Sequence, residues 1–202
     1  MNFVTHTCKV CFQTIDFGFD RHICDKCFND LVCIYDQFEL KNVNVMCIYD
    51  YNETLANLLY RFKGCFDYEL KDIFLSRQIT YLKIKYLKYT LVPIPSWVED
   101  DDIRGFNHVE EIFKLLNLPI IKCLRKKEKF KQSSLNKKNR ENVKQKLEII
   151  DEQKIVGENI LIVDDVMTTG STIKAAIDLV SEYRPKSISV LILARKCRKN
   201  KK

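Results

Sequence analysis

Ten residues from Val163 to Thr172, reading Val-Asp-Asp-Val-Met-Thr-Thr-Gly-Ser-Thr, bring two adjacent carboxylates together with four hydroxyls and a glycine. Asp164 and Asp165 are hydrogen-bond acceptors of the kind that hold the vicinal hydroxyls of a ribose. Thr168, Thr169, Gly170, Ser171 and Thr172 follow with hydroxyls and backbone N–H groups just ahead of a helical pattern. A helix start offers free N–H groups and a positive dipole end to an anion. Gly170 lets the backbone close round it. An ordinary strand–helix junction with capping Asp and Thr would explain any one of these residues. It does not call for the whole combination.

A second group of residues suits a metal. Cys8 and Cys11 form one Cys-x-x-Cys pair, Cys24 and Cys27 another, with twelve residues between them. Two such turns complete a tetrahedral S4 site, which favours zinc, with iron as a substitute. So short a segment has little apolar content of its own, and bound metal would supply folding free energy. Disulfides and unrelated thiols are the alternatives; a reducing compartment argues against the first and the matched spacing against the second. Cys33, Cys47, Cys65, Cys123 and Cys197 show no such pattern and read as packing residues.

The third stretch is Leu91-Val-Pro-Ile-Pro-Ser96, followed by Arg104-Gly-Phe-Asn107. A strand that ends in a Pro-rich loop can present the backbone at Pro95 and Ser96 to a diphosphate, and Arg104 adds a guanidinium suited to bidentate phosphate contact. A chain bend and a surface arginine are the plain alternative. Between the two lies Trp97-Val-Glu-Asp-Asp-Asp102, an acidic run that reads as a solvated turn or as ligands for a cation such as Mg2+.

These groups need elements to hold them. Val43–Tyr51 is rich in β-formers and reads as a strand, and Glu53–Phe62 carries Leu55, Leu58, Leu59 and Phe62 at helical spacing. Further helical patterns run over 67–80 and over Val109–Leu116, with a short strand at Thr90–Ile94 between them. Asn159–Val163 is apolar throughout, as a buried parallel strand should be, and the turn after it is expected to carry both aspartates to the ligand. A helix over Ser171–Tyr183 and a strand over Ser187–Ala194 complete a right-handed βαβ unit. The fold class is therefore α/β, a Rossmann-like parallel sheet flanked by helices. A four-Cys finger over 1–35 precedes a domain over 43–196 and a basic tail over 197–202.

With 202 residues, 46% of them hydrophobic, the chain can bury a sizeable core. No run reaches the ~20 apolar residues of a membrane span, and the first residues lack a signal-peptide pattern; a soluble cytoplasmic protein is expected. The net charge of +7 is uneven. From Lys122 to Lys146 eleven basic residues face two acids, and six more lie between Arg195 and Lys202. Such clusters suit polyphosphorylated ligands or a nucleic-acid backbone, though a solvated Lys-rich surface is the commoner case.

The loop at 163–172 resembles the 5-phosphoribosyl-1-pyrophosphate (PRPP) motif of type I phosphoribosyltransferases. The order of parts is similar to the ComF family, phosphoribosyltransferase-like proteins of bacterial competence. The matching parts are the four-Cys finger, Arg61-Phe-Lys-Gly64, Val92-Pro-Ile-Pro95, Arg104-Gly-Phe-Asn107, Gln132…Leu135…Arg140-x-Asn142, the PRPP-like loop and Leu193-Ala-Arg195. The family's stretch after Pro-x-Pro is basic, and here it is acidic.

The resemblance implies ribose binding by Asp164 and Asp165, phosphate binding by the loop through Val166, Met167 and residues 168–172, and Mg2+ accompanying PRPP. Arg104 joins the two aspartates as a catalytic candidate. Pro95, Ser96, Lys131 and Arg140 are candidates for a diphosphate site or for a hood over it. It further implies a role in uptake or handling of single-stranded DNA during natural transformation, with competence and DNA-uptake proteins as partners. The alternative is an active enzyme that transfers phosphoribosyl from PRPP to a nucleobase or another nitrogen acceptor.

Overall fold

A computed structural model describes residues 6–15, 22–126 and 147–196. Lys131, Arg140, most of the basic stretch and the tail over 197–202, with Cys197, lie outside the described residues.

The chain opens with a short hairpin, β1 (His6–Thr7) paired with β2 (Thr14–Ile15), and a one-turn helix, α1 (Asp25–Asn29). A five-stranded sheet follows, in the order β3 (Cys33–Leu40), β4 (Val43–Asp50), β9 (Ser187–Arg195), β8 (Asn159–Met167), β5 (Thr90–Pro93). All neighbours are parallel except β3, which folds back antiparallel on β4. Its two-residue turn, Lys41-Asn42, has φ of 54° and 61°. Positive φ at both turn residues matches the right-handed twist of the strands it joins. The sequence reading had no strand at 33–40, because Lys-Asn is a weaker turn signal than Asn-Gly. β3 begins at Cys33, inside the segment assigned to the finger, and fills the interval left before residue 43.

Strand periodicity sorts the core into two layers. Met46, Ile48, Leu91, Leu161, Val163, Leu191 and Leu193 face one side, against α2 (Glu53–Gly64), α3 (Ile79–Lys85) and α5 (His108–Phe113). Val45, Cys47, Val92, Ile160, Ile162, Val190 and Ile192 face the other, against α6 (Ser171–Ser181). Helix α6 buries Ile173, Ala176, Ile177 and Val180. Each of the larger side chains in that face contributes about 1.5–3 kcal/mol by leaving water.

Most expected elements are present. The helical pattern over 67–80 is instead a 3-10 helix at Tyr68–Ile73 followed by turns, and α3 starts only at Ile79. The break has a tertiary cause. Tyr49 Oη donates at 3.0 Å to the Phe74 carbonyl, which a continuous α-helix would give to Gln78 N–H, and that N–H goes instead to the Leu75 carbonyl at 3.0 Å. The acidic run is not a turn but the helix α4 (Val98–Arg104), ended by Gly105 at φ 80°. A further antiparallel pair, β6 (Leu124–Lys126) and β7 (Leu147–Ile149), was not anticipated; it brings the two ends of the basic stretch together.

The finger does not stand apart. Cys8, Ile23, Cys27 and Leu31 are buried in one cluster with Leu70, Ile73 and Phe74. Lys9 bridges to Asp72 at 2.6 Å and Glu69 at 3.0 Å. Arg77 reaches Asp25 at 2.6 Å and lies over the Phe28 ring at 4.2 Å.

Candidate functional site

Strand β8 extends four residues past Val163, so the aspartates belong to the strand and not to the turn after it. Asp164 pairs with Ile192 and Val166 with Ala194, and the turn comes at 168–170. Their parallel partner β9 is long enough to carry the ladder on, which sequence periodicity in β8 alone did not reveal. Consecutive side chains of a strand point to opposite faces. Asp165 therefore joins the layer of Leu161 and Val163, beneath α2 and α5, and Asp164 lies toward α6. Both still reach one cavity, of about 200 Å3, at the carboxyl end of the strands. This is the edge where open α/β sheets bind ligands.

Ile94, Pro95, Ser96, His108, Val109, Lys126, Asp164, Asp165 and Thr172 line the cavity. Pro95 and Ser96 arrive from the end of β5, where Ile94 N–H still donates to the Val163 carbonyl at 2.9 Å. Thr172 comes from the first turn of α6, whose N-cap is Gly170 at φ 72°. Ser171 N–H donates to Thr169 Oγ1 at 3.4 Å, and Thr169 Oγ1 donates to Ser171 Oγ at 3.0 Å. Val166 and Met167 pack into the two core layers, so what they offer a ligand is backbone.

The two carboxylates differ sharply. Asp165 Oδ2 accepts from Lys63 Nζ at 2.7 Å and lies 3.2 Å from His108 Nε2, while Oδ1 accepts from Val166 N–H at 2.7 Å. Burial alone would raise the Asp165 carboxyl; the His108 hydrogen bond and the Lys63 charge outweigh it and hold the group well below the usual carboxylate range. Asp164 accepts from Asp165 N–H at 3.0 Å. Burial, and then the neighbouring Asp165 charge, push its carboxyl well above the usual range. Lys126 lies at 5.1 Å over the Trp97 ring. Burial lowers its ammonium, partly offset by the charges of Asp164, Asp100, Asp101 and Asp165.

Arg104 stands behind the wall and not on it. Its Nε donates to the Lys63 carbonyl at 2.9 Å and its Nη1 to Asp101 at 3.0 Å, with the side chain only 9% exposed. Of the acidic run, Glu99, Asp100 and Asp102 are exposed, and Asp101 is tied to Arg104 and Asn107. Sequence reasoning quoted Lys63 within Arg61-Phe-Lys-Gly64 without giving it a role, and passed over His108. The signal for His108 was its place directly after Arg104-Gly-Phe-Asn107, at the first turn of a helix. The sequence marks Lys126 only as one charge of a basic cluster.

In the N-terminal segment the four finger thiols come together, all within 4.8 Å of one another, with Cys11 and Cys24 Sγ 3.8 Å apart. A tetrahedral ion at the usual Zn–S distance spaces its sulfurs by about 3.8 Å, so the donor set fits a metal such as zinc. Backbone N–H of Cys24 points at Cys8 Sγ at 3.4 Å. Burial raises the Cys8 thiol, but backbone hydrogen bonds prevail and bring it down to about 7, whereas burial and its three neighbouring thiols push Cys27 well above the usual thiol range. No helix among the described residues is long and apolar enough to cross a membrane.

Comparison with known proteins agrees with this arrangement. The family model described as the phosphoribosyl transferase domain matches residues 103–202. Competence protein ComFC of Streptococcus pneumoniae is 30% identical over 153 residues, covering 76% of this chain and 69% of that protein. Competence protein ComFC of Bacillus subtilis is 32% identical over 151 residues, covering 73% of this chain but only 62% of the relative's length. Among solved structures, a hypoxanthine phosphoribosyltransferase from Staphylococcus aureus is 16% identical at a TM-score of 0.41, over 63% of this chain and 66% of that one. A purine phosphoribosyltransferase from Pyrococcus horikoshii is 13% identical at 0.36, over 62% and 82%. These last two likenesses are loose. With a four-Cys cluster ahead of a phosphoribosyl transferase domain, and with 30% identity to the Streptococcus pneumoniae protein over 69% of its length, the chain belongs to the ComFC family of competence proteins.

Proposed function

We propose that the cavity at the end of β8 binds PRPP or a related ribose-phosphate, and that the protein acts in the uptake or handling of single-stranded DNA during natural transformation. The observation that carries the reading is the convergence of Asp164, Asp165, Thr172 and Ser96 on one cavity at the start of α6. The Asp164–Asp165 pair supplies carboxylate to the ribose hydroxyls, and the first turn of α6 with residues 168–172 supplies N–H groups and hydroxyls for the 5′-phosphate. Carboxylate and hydroxyl oxygens suit Mg2+ carried in with the diphosphate. Lys126 at the mouth adds a cation beside it. In the finger, Cys8, Cys11, Cys24 and Cys27 would hold zinc in a structural role. A cytoplasmic site of action goes with the same reading.

The test is calorimetric. PRPP with Mg2+ at a hundredfold excess over its dissociation constant should stabilise the protein by about 2.7 kcal/mol. Asp164→Asn should abolish most of that shift while the ligand-free midpoint stays near wild type. A shift of wild-type size in Asp164→Asn would overturn the assignment. Transfer of phosphoribosyl to a nitrogen base is a second reading, supported by the ion pairs and hydrogen bonds that tie Asp165 and His108 on the cavity wall to Lys63 and Arg104 behind it. Release of diphosphate from PRPP in a screen of nucleobases would favour it. Salt-sensitive binding of single-stranded DNA without such release would favour the first.

A further inference from the structure

Side chains on and behind the cavity wall form a connected relay that ligand binding as described leaves unused. His108 Nδ1 lies 3.1 Å from Arg104 Nη1 and 3.2 Å from Ser96 Oγ. A guanidinium only donates, so a neutral imidazole between these partners presents its lone pair at Nδ1 and carries its proton on Nε2. Nε2 lies 3.2 Å from Asp165 Oδ2, which also receives Lys63 Nζ at 2.7 Å. Arg104 cannot turn away readily. It is held by the Lys63 carbonyl on α2 and by Asp101 on α4, and Asp101 also accepts from Asn107 Nδ2 at 2.8 Å, next to the N-terminus of α5. Three helices are thus tied at one point, directly behind Asp165.

The consequence concerns the paired carboxylates. Both oxygens of Asp165 are taken by donors of the protein, and its side chain is 10% exposed. Asp164 faces the cavity from the other side of the strand, with Oδ1 receiving Asp165 N–H. We propose that the pair divides its work: Asp164 takes the ribose hydroxyls, while Asp165 is a positioning residue held by Lys63 and by His108, whose Nε2–H tautomer Arg104 fixes. This rests on the ribose-phosphate reading of the cavity. It gives Arg104 a place in the site through His108 and Asp165, and not through the diphosphate.

Nitrogen correlation spectra of the histidine side chains test the relay without any ligand. His108 is one of three histidines, and its signals are those lost in His108→Gln. Wild-type protein should show Nδ1 unprotonated and Nε2 protonated, and Arg104→Met should release a mixture of tautomers. A wild-type signal protonated at Nδ1 overturns the proposal. Titration with Mg2+ and PRPP supplies the second arm. His108→Ala should bind about tenfold more weakly, the size expected for one hydrogen bond to a charged group. His108→Gln, whose amide nitrogen reaches the position of Nε2, should recover most of that loss. Asp165→Asn should lower both affinity and the ligand-free melting temperature, whereas Asp164→Asn should lower affinity alone. A glutamine variant as weak as alanine, or Asp165→Asn with unaltered ligand-free melting, overturns the division of work. Wild-type protein that binds no PRPP removes the ribose-phosphate reading and with it the role of Asp164. The tautomer and the ligand-free melting then still decide whether His108 and Lys63 hold Asp165.

Discussion

Adjacent identical residues are given opposite characters by nothing more than strand geometry. Asp164 and Asp165 differ by one position, so one carboxylate enters the layer of α2 and α5 and the other faces α6 and the cavity. In the first place it finds an ammonium and an imidazole; in the second it finds its neighbour's charge. The same logic applies to Asp72, which anchors the finger through Lys9 and is also bonded by Lys71 at 2.9 Å. Burial raises this carboxyl, but the hydrogen bonds from Lys9 and Lys71 prevail and lower it below the ordinary 3.8. A folded-state value below the unfolded one contributes stability that is present above pH ~3.8 and lost as pH falls through the folded value. Asp72→Asn should therefore cost about 1 kcal/mol at pH 7, and denaturant titrations of the two proteins should converge once the pH falls below the folded value. A gap that persists in acid would mean the loss is one of packing. The sequence showed the two aspartates at 164 and 165 and the chemistry they share. It could not show their difference, since Lys63 and His108 lie far along the chain and meet Asp165 only through packing.

At the scale of elements, α2 and α6 position the site, and each rests on a local device. Asn52 Oδ1 accepts from Leu55 N–H at 2.9 Å and caps α2, the helix that carries Lys63. Asn52→Ala should cost about 1 kcal/mol in a denaturant titration. Gly170 opens α6 at φ 72°, where an added Cβ would meet Met167 Sδ at 3.5 Å, an ordinary contact. The cost of Gly170→Ala is then conformational, about 1–2 kcal/mol, with PRPP affinity falling as the loop shifts. Gly170→Asn should cost less than alanine, because asparagine tolerates the left-handed region. Equal losses for the two would point to steric crowding instead. Both helices were legible from their apolar spacing, and Gly170 from its place before one of them. The strand β3 and the break at 74–78 were not, because the first depends on pairing with β4 and the second on the bond from Tyr49 Oη to the Phe74 carbonyl.

The whole molecule joins finger and sheet through one apolar cluster, from Cys8 and Cys27 to Phe74 and on to Leu161. If the four-Cys cluster holds zinc, its removal should therefore unfold more than the finger. A chelator, or Cys24→Ser, should lower the melting temperature of the entire chain in a single transition, read by calorimetry and by tryptophan fluorescence at Trp97. Two separated transitions would show that the finger folds on its own. By itself the sequence determined what depends on short-range pattern: the paired cysteines, the Asp-Asp and Thr-Thr-Gly signature, the strands and helices of strong periodicity, and with them the family. Tertiary structure alone decided the rest. It set which face each aspartate takes, moved Arg104 from the cavity wall to a place behind His108, and fused the finger to the core. Those outcomes turn on contacts between residues tens of positions apart, such as Lys63 with Asp165 and Lys9 with Asp72, and spacing along a chain holds no record of them.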